Sequence, residues 1–144
     1  MSLKWWNKMN FTESLNTCLK KYFVFQGRAS RSEYWWFQLI VSPSYYISTY
    51  LENELSYFFL GITLFTLIPA ISAGVRRLHD TNWSGFFLLI SFIPFIGGLI
   101  LLFFLISEGT KGKNRFGPDP LKRVSRRKNK KKWNLEDNLL SHLY

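Results

Sequence analysis

The sequence predicts an all-α integral membrane protein: three hydrophobic helices, the third either a full crossing or re-entrant, preceded by a short N-terminal amphipathic helix. Three observations point there. Residues 83 to 106, WSGFFLLISFIPFIGGLILLFFLI, carry no charge; as one helix they would reach about 36 Å, against a hydrocarbon core of about 30 Å. Residues 55 to 75, LSYFFLGITLFTLIPAISAGV, are equally free of charge. The net charge of +10 is concentrated at the far end, where residues 107 to 144 hold eleven of the 19 Lys and Arg. A soluble core helix is seldom apolar on every face over such lengths.

At 144 residues there is room for one small domain. It divides by composition into an N-terminal segment (1–29), a membrane domain (30–120) with helices near 34–51, 55–75 and 83–106, and a basic tail (121–144). Cys18 is the single cysteine, which excludes an intramolecular disulfide and any metal or redox motif built on cysteine spacing. No metal or cofactor is expected. The first thirty residues lack a continuous apolar run followed by a small-residue cleavage site, arguing against a cleaved secretory signal.

Residues 10 to 25, NFTESLNTCLKKYFVF, place Phe11, Leu15, Cys18, Leu19, Tyr22 and Phe23 near one helical face, and Asn10 with Glu13 has capping-box spacing. A short amphipathic helix is expected, either on the membrane surface or packed on the bundle end. Gln26 and Gly27 break it. Ser30-Arg31-Ser32-Glu33 then forms a second capping box, so the next helix should begin at Arg31 and run through YWWFQLIVSPSYYISTYL, kinked at Pro43. Glu52, Asn53 and Glu54 make an acidic connection without Lys or Arg, which the positive-inside rule places outside. Pro69 lies late in the second span, with Thr66 a candidate to take up the freed backbone carbonyl, and the helix can run on into RRLHD.

Charge and length disagree about the third span. Three full crossings leave eight positive charges on one side and eleven on the other, whereas a fold-back at Pro94 and Gly97-Gly98 puts all 19 together. Two full crossings need roughly 40 residues, so only a shallow fold-back fits. Hydropathy narrowly favours three helices, and the depth of the third stays open. Beyond it, GTKGKNRFGPDP is punctuated by glycine and proline, and GPDP should be a stiff extended turn, the whole forming a cap held by Arg115 and Asp119. KRVSRRKNKKK, residues 122 to 132, holds eight basic residues in eleven and is expected to be disordered. Residues 133 to 144 suit a short helix, with His142 solvated.

His79-Asp80 is the one pair that suggests general-base chemistry, but neighbours in sequence need not face each other on a helix. The plainer role is a polar helix end, with Arg76 and Arg77 near lipid phosphate and Asp80 or Thr81 capping the next helix. GTKGKNRFG lacks the spacing of a phosphate-binding loop.

The segments YFVFQGRASRSEYWWFQLI, GVRRLHDTNWSGFFLLISFIPFIGGLILLFFL and EGTKGKNRFGPDP resemble the three signature segments of the YhaH-type small inner-membrane proteins of bacteria, a domain of unknown function (DUF 805). The resemblance covers about residues 20 to 120, and RRLHD with IPFIG and NRFGPDP is a specific combination. It implies a multi-pass bacterial inner (plasma) membrane protein and supplies no activity, substrate or cofactor. The long basic tail and the acidic first loop depart from that pattern.

The reading favoured is a non-enzymatic membrane protein with a cytoplasmic C-terminus, whose basic face contacts anionic lipid headgroups or a membrane partner, in which a homo-oligomer is included. A transporter or channel accessory subunit is the alternative, and a membrane enzyme using RRLHD a third. Nucleic acid is disfavoured beside apolar spans. The motif or lipid-facing candidates are Arg28, Arg31, Glu33, Arg76, Arg77, His79, Asp80, Asn114, Arg115 and Asp119. GRASRSE, RRLHD and NRFGPDP are expected to converge on one face, Glu33, Asp80, Glu108 and Asp119 serving as counterions.

Overall fold

The structure, a computed structural model, describes residues 9–122 together with 129, 133 and 134. Among these the regular structure is helical, with one isolated bridge between Asn114 and Gly117.

Helix α1 (Phe11–Lys20) starts where the Asn10 backbone N–H donates to the Glu13 carboxylate at 3.2 Å, with Glu13 in the first turn and Lys20 in the last, both favourable to the helix dipole. Its buried face, Ser14 and Cys18, packs on the beginning of the next helix, where Ser14 Oγ donates to the Glu33 carbonyl at 2.5 Å. The amphipathic helix therefore rests on the bundle end. Helix α2 (Arg31–Tyr50) begins at Arg31, with Ser30 Oγ accepting from the Glu33 N–H at 3.2 Å, and remains α-helical through Pro43. Asn53 caps helix α3 (Glu54–Asp80) by accepting from the Leu55 N–H at 3.1 Å. A connection of three residues makes α2 and α3 antiparallel neighbours, and theirs is the most extensive helix contact among the described residues. The small core is Cys18, Tyr34, Phe37, Ala73 and Leu105.

Helix α3 is 27 residues, about 40 Å at 1.5 Å per residue, and among the described residues it is the one helix long and apolar enough to cross a membrane. It includes RRLHD. Pro69 removes an N–H from its interior, which frees the carbonyl four residues earlier, Phe65. Thr66 was the expected partner, but its hydroxyl bonds the carbonyls of Ile62 and Thr63, at 2.8 and 3.3 Å. The Phe65 carbonyl instead accepts from the Tyr22 hydroxyl at 2.6 Å, because α1 lies against this stretch of α3 and carries Tyr22 to the proline. Tyr22→Phe leaves that carbonyl unpaired while keeping the ring that packs on Phe65. A loss of about 1–3 kcal/mol is expected, read as a lower unfolding midpoint of the purified protein in detergent.

The single third helix over 83–106 does not form. The stretch is a hairpin of two legs, a 3-10 helix (Gly85–Phe92) and α4 (Ile96–Ile106), reversing at Ile93, Pro94 and Phe95. Phe95 has φ 62°, a left-handed conformation that no continuous helix contains. The close return also needs glycine, since a Cβ on Gly97 would run into the Ile90 carbonyl. Eight residues at about 2.0 Å and eleven at about 1.5 Å make both legs roughly 16 Å long, half a hydrocarbon core. The legs touch through Phe104, whose ring is 4.8 Å from Trp83 and 5.9 Å from Phe87. Both ends come back to the end of α3, where the Thr110 N–H donates to the Asp80 carbonyl at 2.8 Å.

GPDP also ends differently from the extended turn expected. Asp119 Oδ1 accepts from the Leu121 N–H at 2.9 Å and residues 120 to 122 are helical, Pro120 suiting the first helical position. Asn129, Trp133 and Asn134 are helical too. The rest of the tail expected to be disordered, and the terminal patch with His142, lie outside the described residues.

Candidate functional site

Two regions distant in sequence, residues 28–33 and 76–80, meet at the end of α3. The first turn of α2 supplies Glu33, the last turns of α3 supply Arg76, Arg77 and Asp80, and the link before α2 supplies Arg28. All five are buried, Arg76 and Arg77 completely. Buried charges persist only when paired and hydrogen-bonded. Asp80 provides this twice, taking Arg28 Nε on Oδ1 at 2.9 Å and Arg77 Nη1 on Oδ2 at 2.5 Å. Glu33 pairs with Arg76 Nη1, and Lys21 Nζ stands 3.8 Å from the same oxygen. Because its carboxylate points into this cluster, Glu33 does not close the reciprocal half of the capping box.

The remaining donors of Arg28 and Arg77 hold backbone, whereas Arg76 Nε and Nη2 are buried without a hydrogen-bond partner among the described residues. Arg28 Nη1 donates to the carbonyls of Gly112 at 2.5 Å and Gly117 at 3.3 Å, and Nη2 to that of Thr110. Arg77 Nε donates to the Leu105 carbonyl at 3.0 Å and Nη2 to that of Ser107. Two arginines thus clamp the end of α4 and the glycine-rich cap onto α3. Asn114 adds a third tie, its Nδ2 donating to the His79 carbonyl at 2.9 Å. Gly109 is required here, as a Cβ would collide with the Asp80 carboxylate.

Arg28, Arg76 and Arg77 are turned inward, so the lipid-phosphate role expected of Arg76 and Arg77 is replaced by cross-linking of the fold. Asp80 is a counterion to two arginines and does not cap the next helix; Ser84 does, accepting from the Phe86 N–H at 3.4 Å. His79 and Asp80 do not face each other. His79 Nδ1 bonds the Gly27 carbonyl at 3.1 Å, and the ring stacks on Phe116 at 3.8 Å and 4°. Arg115 ties the cap to the link after α3, its Nη2 donating to the Asn82 carbonyl at 2.9 Å, and Asp119 accepts from the N–H groups of Leu121 and, at 3.5 Å, Gly112 within the cap. Arg31 and Glu108 form an outer pair at 3.3 Å, with Glu108 well exposed. Among the described residues no three His, Cys, Asp or Glu side chains gather as a metal site.

Lys21, Thr110 and Gly109 belong to this cluster and were not singled out in the sequence; only contact across the fold reveals them. Cys18 also lies beside it. Burial, followed by the nearby Glu33 charge, pushes its thiol up from an ordinary 9.0 to about 11. The neutral thiol is what the fold accommodates, so this contribution to stability is complete below pH 9 and fades as pH rises toward 11. Native protein at pH 7.5 should leave Cys18 unlabelled by a maleimide, whereas denatured protein should label fully.

Residues 22–118, from the tyrosine that serves Pro69 to a proline within the cap, match the family described as "Protein of unknown function (DUF805)". The chain belongs to the DUF805 family. It is similar to inner membrane protein YhaI of Escherichia coli (strain K12), 46% identical over 106 residues, covering 71% of this chain and 90% of YhaI. Inner membrane protein YhaH of the same organism is 40% identical over 112 residues, covering 71% of this chain and 91% of YhaH. No solved structure matches. This DUF805 chain is therefore an inner membrane protein, and every residue of the charge cluster except Lys21 falls within the family match.

Proposed function

We propose that this DUF805 protein is a multi-pass, non-enzymatic component of the inner membrane whose cytoplasmic basic face contacts anionic lipids. The observation that carries the reading is the return of both hairpin legs to the end of α3. With α2 and α3 crossing and the hairpin entering and leaving on one side, all 19 Lys and Arg share a side and Glu52 and Glu54 oppose them. That is the positive-inside distribution. The buried arginines are internal ties, so lipid contact falls to the exposed cations of the cap and to the basic residues of the tail sequence. Each basic residue near an anionic surface contributes on the order of 1 kcal/mol, and the tail has eight within residues 122 to 132.

Two measurements test this. In a Cys18→Ser background, Lys111→Cys should resist a membrane-impermeant thiol reagent in intact cells and react in inverted vesicles, and Glu52→Cys should do the reverse. Purified full chain should be stabilised by phosphatidylglycerol over phosphatidylcholine at low salt, a preference reduced at high salt or when the tail cations are replaced by Gln. Labelling of Lys111→Cys from outside, or equal response to the two lipids, overturns the reading.

A further inference from the structure

A crevice of about 380 Å³ runs between α3 and the 3-10 leg of the hairpin. On α3 it is lined by Ile71, Val75 and His79, spaced by four so that they form one stripe, about 12 Å long at 1.5 Å per residue. Leu89 and Ser84 line the hairpin side and Phe25 closes one edge. The stripe has a direction. Its Ile71 end lies toward the apolar middle of α3 and its His79 end beside the charge cluster, where Ser84 and the His79 ring are the polar groups.

Near the polar end, outside the lining itself, stands a cation with no carboxylate partner among the described residues. Arg115 lies 4.7 Å over the Phe116 ring, which is stacked on His79, and it acts electrostatically on His79. Its recorded hydrogen bond goes to a backbone carbonyl, and among the described residues no carboxylate pairs with it. Arg28, Arg31, Arg76 and Arg77 each have a carboxylate partner. An apolar slot on a membrane-spanning helix, with a guanidinium one ring beyond its polar end, is complementary to an amphiphile with an anionic head.

We propose that this crevice is a binding site for one anionic phospholipid, an acyl chain lying along Ile71 and Val75 and the phosphate at Arg115 beside His79. The site rests on the reading that the basic face meets anionic lipid, and adds a single place with a defined stoichiometry. The guanidinium is suited to a phosphate because it offers several N–H donors in one plane. A crevice this size is within the range of small-molecule sites. Gly85 sets its width: a Cβ there would lie 2.6 Å from a Val75 methyl, so the 3-10 leg sits on α3 at that level and the crevice opens beyond it.

The test uses the full chain purified in a neutral detergent, with phosphatidylglycerol and phosphatidylcholine of identical chains as probes and native mass spectrometry as readout. Wild type should retain one phosphatidylglycerol per chain, at least tenfold over phosphatidylcholine. Ile71→Trp and Leu89→Trp fill the slot from opposite walls, and each should reduce retention at least tenfold; using both, with circular dichroism to confirm helicity, separates loss of site from loss of fold. Arg115→Gln should abolish the head-group preference. Replacing the tail cations by Gln should leave the single tight lipid in place, so its loss there with retention in the two Trp variants would assign lipid binding to the tail and overturn the crevice while sparing the basic-face reading. Equal retention of both lipids overturns both. A dimer dispersed by Ile71→Trp, with no lipid retained, would make a second copy of the chain the occupant and overturn the proposal.

Discussion

Asp80→Asn is expected to destabilise the protein by about 3–5 kcal/mol, the cost of breaking a buried ion pair by removing one partner. The effect should sit at the top of that range because one carboxylate serves two arginines, whose side chains are 1% and 0% exposed. Asparagine keeps the shape and one acceptor but removes the charge, leaving Arg28 and Arg77 in a site from which water is excluded. The consequence spreads, since those arginines hold the carbonyls of Leu105, Ser107, Thr110 and Gly112. The hairpin and the cap should detach together. Glu108→Gln is the control: Glu108 pairs with Arg31 at the surface with 75% of its side chain exposed, and a change within about 1 kcal/mol is expected. Unfolding midpoints in detergent and steady-state levels in the membrane read both variants. Similar behaviour of the two would remove the buried cluster as the organising feature of the fold.

Gly97→Ala and Gly98→Ala should have opposite effects although the residues are adjacent on α4. A Cβ at Gly97 meets the Ile90 carbonyl and Ile93 Cβ, so the hairpin legs must separate, whereas a Cβ at Gly98 meets nothing within 4 Å. Overpacking of this kind costs about 1–3 kcal/mol, and contact with backbone rather than a flexible side chain leaves little room for relief. Gly98→Ala should instead gain roughly 0.5–1 kcal/mol from helix propensity. Thermal unfolding of the two variants in one detergent reads the difference. If a single continuous helix spanned 83 to 106, both substitutions would stabilise, so the sign at Gly97 distinguishes a hairpin from a crossing.

Local chemistry was legible where it depends on neighbours in sequence. The start of α2 at Arg31 and the capping of α1 by Asn10 and Glu13 follow from side chains that accept from unsatisfied N–H groups three residues away. The run of α3 into RRLHD follows from the absence of any further proline between Pro69 and Asp80. The third hydrophobic stretch was ambiguous because hydropathy counts apolar residues and is indifferent to where a chain turns. Pro94 and the glycine pair marked the place, and the charge distribution favoured a return, yet only the fit of Gly97 against Ile90 and the landing of the second leg on Arg77 and Asp80 make the reversal definite.

The sequence by itself determined that this is an apolar helical chain with a basic end, that its helices start at their caps, and that charged motifs flank the spans. These are properties of composition and of contacts within a turn or two. Only the tertiary structure decided which charges face inward. Arg76, Arg77 and Arg115 look alike in a string of letters, but two are sealed against Glu33 and Asp80 while the third lies over Phe116 without a carboxylate partner among the described residues. The reason is desolvation: a guanidinium leaves water where a carboxylate meets it, Glu33 from α2 for Arg76 and Asp80 on the same helix for Arg77, with backbone carbonyls of Leu105 and Ser107 joining at Arg77. The partners distant in sequence come from α2 and the end of the hairpin.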